Sequence, residues 1–156
     1  MPSFRTSQPV AHSPVQMFDL VADVEQYPEF LPLCESLRVL RRTASGEGVE
    51  SLVAVMSVGY KAIHESFTTR VTLDRPRLRI LAEYVDGPFR YLENRWTFKS
   101  TPTGCDIDFF ISYEFRSLTL SVLMGSVFDK AFRRFVTAFQ ERADAIYGRP
   151  AVASAE

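Results

Sequence analysis

Between Glu35 and Phe115, apolar and polar residues alternate in short runs separated by turn signals, the period-two rhythm of strands with one buried face. The runs cover residues 37–42, 49–58, 61–73, 78–84, 89–98 and 105–115. They are joined at Ser45-Gly46-Glu47-Gly48, around Gly59, and at Asp74-Arg75-Pro76, Asp86-Gly87-Pro88 and Pro102-Thr103-Gly104. The last run is the cleanest, with Cys105, Ile107, Phe109, Ile111, Tyr113 and Phe115 on one parity and Asp106, Asp108, Ser112 and Glu114 on the other. Strands in succession joined by short turns describe an antiparallel meander.

Past Ser117 the rhythm changes to threes and fours. Met124, Phe128, Phe132, Phe135, Phe139, Ala143 and Ile146 form one stripe, which predicts a long amphipathic helix over 117–147. Its stop is marked by Gly148 and Pro150. Two starts fit: Thr119 caps the whole helix, or Ser126 with Asp129 opens a shorter one, so that Gly125-Ser126 is a start or a kink. At the other end of the chain, residues 4–10 read as an opening strand. Ser13 caps a helix with Pro14 in its first position, and the helix runs to about residue 23 with Val15, Phe18, Val21 and Ala22 on one side. In the following EQYPEFLPLC stretch, Pro28 and Pro32 allow at most a short helical turn. Tyr27, Phe30, Leu31 and Leu33 make this loop apolar enough to require docking on a core, a cavity mouth, a partner or a membrane. Helices segregated from an antiparallel sheet predict an α+β fold, a curved sheet of about seven strands wrapped around the C-terminal helix.

The 156 residues suit one domain, 1–150, with 151–156 as a disordered tail. A net charge of −1 gives no global attraction to nucleic acid, so DNA is not an expected partner. Cys34 and Cys105 lie far apart with no CxxC spacing, which points to buried free thiols and not to a metal or redox site. No run approaches the roughly 18 apolar residues of a membrane span, and the N-terminus lacks an apolar signal region, so the expected location is cytoplasmic. Phenylalanine is unusually frequent at 13 residues, and it supplies large apolar area with no polar handle, for a core or a cavity wall.

Certain motifs add a resemblance. They are Ala22-Asp23-Val24-Glu25-Gln26-Tyr27-Pro28-Glu29-Phe30-Leu31-Pro32, then Gly87-Pro88-Phe89 with Leu92 and Trp96-Thr97-Phe98, then Cys105 with Phe109 and Tyr113-Glu114-Phe115, and finally Phe139 with Arg142-Ala143 and Tyr147-Gly148. In these the chain resembles the START-like helix-grip superfamily and, within it, the coenzyme Q-binding START-domain family that also contains the bacterial ribosome-association toxin. Leu33 departs from the pattern, standing where that family has tryptophan. The resemblance implies a cavity between sheet and long helix that holds ubiquinone, with no catalytic cofactor, and a role as quinone chaperone in respiratory electron transport. Its implied partners are a transient membrane surface, at the inner face of the inner membrane, and respiratory or quinone-biosynthesis proteins. The toxin branch implies instead a translation inhibitor on the large ribosomal subunit.

The ligand-lining residues expected on this basis are Tyr27, Phe30, Leu31, Phe67, Phe89, Trp96, Phe98, Phe109, Ile111, Tyr113, Met124, Phe128, Phe132 and Phe135. The Phe stripe reads equally as packed core or as a cavity wall, and both hold if they occupy opposite ends of the helix. A pocket of the usual ~300–1,000 Å³ holds a few isoprene units, so a longer tail has to protrude. The apolar loop and residues 118–124 are candidates for the opening. Glu65 shares the parity of Ile63 and Phe67; it either faces the cavity or stays wet through an edge position. His12 and His64 are the only imidazoles, and no nucleophile, zinc or phosphate-loop motif accompanies them, so no enzyme is expected. Basic clusters at Arg38, Arg41 and Arg42, at Arg75, Arg77 and Arg79, and at Lys130, Arg133 and Arg134 read as solvated faces unless the fold gathers them.

Overall fold

The computed structural model describes residues 3–148. Pro150 and the tail at 151–156 lie outside the described residues. Seven strands, β1 (Ser3–Val10), β2 (Cys34–Gly46), β3 (Val49–Tyr60), β4 (Ile63–Asp74), β5 (Arg79–Asp86), β6 (Phe89–Thr101) and β7 (Gly104–Phe115), make one antiparallel sheet in the order β1-β7-β6-β5-β4-β3-β2. The meander of β2 to β7 follows from the short turns, and β1 closes the far edge by pairing with β7, Phe4 opposite Ile111 and Val10 opposite Cys105. The strict alternation of burial along β7 puts Cys105, Ile107, Phe109, Ile111, Tyr113 and Phe115 on the inner face.

Helix α1 (Pro14–Ala22) begins as its capping residues dictate. The Ser13 hydroxyl accepts from the Gln16 amide, the Gln16 side chain accepts from the Ser13 amide, and Pro14 occupies the first turn. The face it buries is Met17, Phe18, Leu20 and Val21; Val15, placed on that face by sequence spacing, is half exposed. A 3₁₀ turn, Val24–Glu29, follows and accommodates Pro28.

The C-terminal helix is two helices, α2 (Leu118–Arg133) and α3 (Phe135–Tyr147). This corrects the single rod read from the stripe. The start is neither Thr119 nor Ser126: Ser117 caps α2 by accepting from the Leu120 amide, and Gly125 sits inside the helix. The break is at Arg134, whose amide reaches back to the Ala131 carbonyl before α3 restarts with Ala138 bonding to Arg134. Phe132 and Phe135 flank the break with their rings 5.2 Å apart, so the apolar stripe continues across it. Ile146 ends outside the stripe, half exposed, while Ala131 and Val136 join it as buried residues.

Gly104 admits the close approach of the β1–α1 corner. A Cβ there would lie 2.1 Å from the Val10 carbonyl oxygen and 2.8 Å from the Ala11 Cα, backbone atoms that cannot swing away. Gly104→Ala is expected to cost about 1–3 kcal/mol, seen as a lower urea midpoint at unchanged slope.

Candidate ligand cavity

The floor of the site consists of small residues at inward positions of adjacent strands. Ala54 on β3 is opposite Thr69 on β4, and Ala82 on β5 lies between Val71 on β4 and Asn94 on β6. Over this floor α2 and α3 are held off by aromatic clusters at both ends. At one end Phe139, fully buried, takes edge-on contacts from Tyr27 at 5.2 Å, Phe30 at 5.0 Å and Trp96 at 5.1 Å. At the other, Phe89 stacks on Phe115 at 4.9 Å and touches Phe67, Tyr113 and Phe128. Large rings at the ends and small side chains between them leave a void of about 90 Å³.

Of the expected residues, Tyr27, Leu31, Phe67, Trp96, Ile111, Phe128, Phe132 and Phe135 line this void. Phe30, Phe89, Phe98, Phe109, Tyr113 and Met124 do not. Phe30 and Phe89 belong to the end clusters, Phe98 packs on Phe18 and Trp96, Phe109 lies between Phe4 and Trp96, Tyr113 packs against Phe132, and Met124 is buried on α2. Parity alone cannot distinguish an inward residue over the void from one under a ring. Ala54, Thr69, Ala82, Asn94 and Ala131 were missed as lining residues. On the strands the signal was small or polar side chains at inward parity among large apolar ones, whereas Ala131 stands on α2 one position before Phe132. At about 90 Å³ the cavity is also well below the usual ligand-pocket size, so it has to widen to admit a ring and its tail.

Among the lining residues none is charged, and the polar ones are Tyr27, Thr69 and Asn94. The Tyr27 hydroxyl donates to the Val21 carbonyl, and burial raises its pKa far above the ordinary phenol value. Half-exposed Pro32, Leu33, Leu37, Met56 and Phe135 mark where the cavity nears the surface, between the apolar loop and the α2–α3 break. Leu33, at the position of the family's tryptophan, has a left-handed backbone with φ 68° and borders the cavity. Residues 118–124 do not line it. Their exposed side chains point elsewhere, with Leu118 81%, Val122 74% and Leu123 54% accessible.

The other candidates fall outside the cavity. Glu65 is half exposed on a part of β4 that extends past its pairing with β5, which begins at Thr68, so its carboxylate keeps water. His64 is exposed and pairs with Glu35 at 3.0 Å. His12 is buried, and its Nε2 meets Asp144 Oδ1 at 2.7 Å, tying the β1–α1 corner to α3. Among the described residues no group of three or more His, Cys, Asp or Glu could hold a metal ion, and no helix is long and apolar enough to cross a membrane. The basic clusters are partly neutralised, with Arg75 on Asp19, Arg77 on Asp74, Arg133 on Asp129 and Arg42 between Glu25 and Glu50, while Arg79, Lys130 and Arg134 make no ion pair among the described residues. Arg38 and Arg41, on the edge strand β2, make no ion pair among the described residues.

A curved antiparallel sheet closed by C-terminal helices over an apolar, uncharged cavity defines a START-like helix-grip protein. The chain belongs to the family described as polyketide cyclase/dehydrase and lipid transport, which matches residues 10–140. It is 32% identical over 146 residues to the ribosome association toxin RatA of Rickettsia prowazekii, covering 92% of this chain and 97% of that one. It is 34% identical over 154 residues to the mitochondrial coenzyme Q-binding protein COQ10 homolog B of Xenopus laevis, covering 96% of this chain but 61% of that one. Among solved structures, an 18 kDa protein of Caulobacter crescentus superposes with a TM-score of 0.78 at 29% identity, over 95% of this chain and 99% of that one. The Zhui aromatase/cyclase of Streptomyces sp. R1128 superposes at 0.79 with 16% identity, over 96% and 97%, and shares the fold.

Burial raises the Cys34 and Cys105 thiols from 9.0 to about 11, helped by Glu35 and Asp106 respectively, and raises Tyr113 from 10.0 to about 12, helped by Asp129. The folded state therefore holds these protons more tightly than the unfolded chain does. The stability they contribute is complete below pH 9 and is lost as pH rises through about 11 for the thiols. Urea midpoints measured from pH 8 to 11 should fall with pH, and Cys34→Ala with Cys105→Ala should flatten that slope.

Proposed function

We propose that this protein binds ubiquinone or a similar isoprenoid lipid in the cavity between sheet and helices and carries it to or from a membrane surface, without catalysing a reaction. The observation that carries this reading is the cavity itself, apolar and without a charged lining residue. Burying apolar tail is worth about 0.8 kcal/mol per methylene, so a few isoprene units supply affinity without polar contacts. Relatives named for coenzyme Q binding support the choice of ligand.

The way the helices are fastened supports a route of entry. Polar bonds tie α3 to the rest of the fold: Gln140 to Gln8, Asp144 to His12, Arg142 to Glu29 and Tyr147 to the Gln16 carbonyl. The side-chain hydrogen bonds and ion pairs of α2 among the described residues stay within the segment 117–133. Its hold on the sheet is apolar packing, with the Arg133 guanidinium over the Phe4 ring. In this reading α2 swings about the break at Arg134 to admit the ligand. Its outer face, uncharged from Ser117 to Phe128, meets the lipid surface.

Relatives named as ribosome association toxins favour a second reading, binding to the large ribosomal subunit, with Arg38 and Arg41 on the open edge of β2 as the contact. Such binding would weaken steeply with salt.

Organic extraction and mass spectrometry of protein purified from a ubiquinone-producing host should recover near-stoichiometric quinone. Ala82→Leu, which fills the void, should recover little while melting no lower than wild type. No enrichment in either sample would sink the carrier reading and leave ribosome co-sedimentation across a salt series as the deciding assay. A Val122→Glu, Leu123→Glu double substitution changes only exposed side chains, so the fold should persist. Quinone transfer between vesicles should nevertheless slow at least tenfold; an unchanged transfer rate would remove α2 as the membrane face.

A further inference from the structure

The cavity wall is almost uniformly apolar, and the exceptions are informative. Asn94 lies at an inward position of β6, between Leu92 and Trp96. An indole N–H only donates, so the bond from Trp96 Nε1, 2.8 Å long, fixes which end of the Asn94 amide is oxygen. The amide nitrogen then donates to the Phe110 carbonyl at 2.9 Å. These two bonds lock the group and leave it one further N–H and one further lone pair. Thr69, at an inward position of β4, hydrogen-bonds through its hydroxyl to no protein group among the described residues, although it lines the same void. Tyr27, the remaining polar lining residue, donates its hydroxyl to the Val21 carbonyl.

Between Thr69 and Asn94 the intervening strand contributes Ala82 to the floor. Two strand spacings, about 10 Å, separate the backbones of β4 and β6, and the methyl of Ala82 leaves the gap unfilled. Once the cavity widens, a flat ring with oxygens at opposite edges spans the two strands' polar groups over Ala82. A hydrocarbon placed there would leave the polar groups unanswered, and the absence of a lining cation means a carboxylate or phosphate would enter uncompensated.

We infer that Thr69 and the locked amide of Asn94 form a head-group subsite that selects a neutral amphiphile bearing carbonyl oxygens. The ligand lies with its ring inward over Ala82 and its tail directed toward Leu33 and the break at Arg134. This rests on the carrier reading and adds to it the residues that hold the head group and the direction of the tail.

Trp96 is the single tryptophan of the chain and lines the cavity, so its fluorescence reports occupancy directly. The probes are decylubiquinone, read by quenching, and decylbenzene and decanoate, read as competitors. Wild type should bind decylubiquinone saturably, with decylbenzene and decanoate each at least tenfold weaker. Thr69→Val, close in shape and unable to hydrogen-bond, should weaken decylubiquinone about three- to tenfold, the range of one net hydrogen bond, and leave decylbenzene unchanged. Thr69→Ser should restore most of the loss, which a packing defect would not. Equal affinity for decylubiquinone and decylbenzene, with Thr69→Val binding both like wild type, would overturn the subsite while leaving the carrier intact. Failure of decylubiquinone to bind at all would overturn the carrier and the subsite together.

Discussion

The fold depends on aromatic rings that keep the C-terminal helices at a distance from the sheet. Phe139 and its ring contacts fix one end, and Phe89 with Phe115 and Phe128 fix the other. A ring buried edge-on adds roughly 0.5–1.5 kcal/mol per contact beyond its area, and its stiffness makes it a spacer that cannot flatten. If the strand residues beneath were also large, the space would fill and the protein would have an ordinary core. Ala54, Thr69 and Ala82 are not large, and the void remains because neither the rings nor the sheet can close on it.

Such a void is a standing cost to stability, because its lining lacks partner atoms on one side. A ligand that fills it recovers those contacts and binds the folded state alone, so occupancy and stability are coupled. In the carrier reading this gives the cavity a physical role different from that of an active-site cleft. In that reading it uses no pre-positioned base or nucleophile; the two histidines lie outside it, His12 fastening α3 and His64 on the surface with Glu35.

Much of this architecture was legible in the sequence, because the two periodicities are strong and the turns carry Gly and Pro at the required places. The parity of residues 105–115, the Ser13-Pro14 helix start and the Gly148 stop all correspond to local physics that tertiary contacts did not override. The break at Arg134 was not legible. Nothing in Arg133-Arg134-Phe135 disfavours helix, and the apolar stripe continues across it. The division of the inward residues into lining and packed core was likewise hidden. Phe67 and Phe89 touch each other at 5.2 Å, yet only Phe67 lines the void, and that difference depends on neighbours far away in sequence. The polar pair Thr69 and Asn94 left a trace, as hydrogen-bonding residues with apolar inward neighbours on both sides, Phe67 and Val71 for one and Leu92 and Trp96 for the other.

In the carrier reading, the division of the C-terminal segment into two helices separates two demands that one rod could not meet. A carrier has to hold its ligand's ring in a fixed geometry and also let the ligand out. The side-chain bonds from α3 to β1, to the β1–α1 corner, to α1 and to the 3₁₀ turn are made by residues distributed along the helix, so rotation of α3 would break several at once. Displacing α2 disrupts dispersion contacts and the Arg133–Phe4 contact but orphans no buried hydrogen bond, and apolar contacts re-form against a lipid chain nearly as well as against the sheet. The asymmetry in fastening therefore sets an asymmetry in opening. In the carrier reading the end of the cavity under Phe139 stays rigid, and the side roofed by Phe128 and Phe132 is the one that yields.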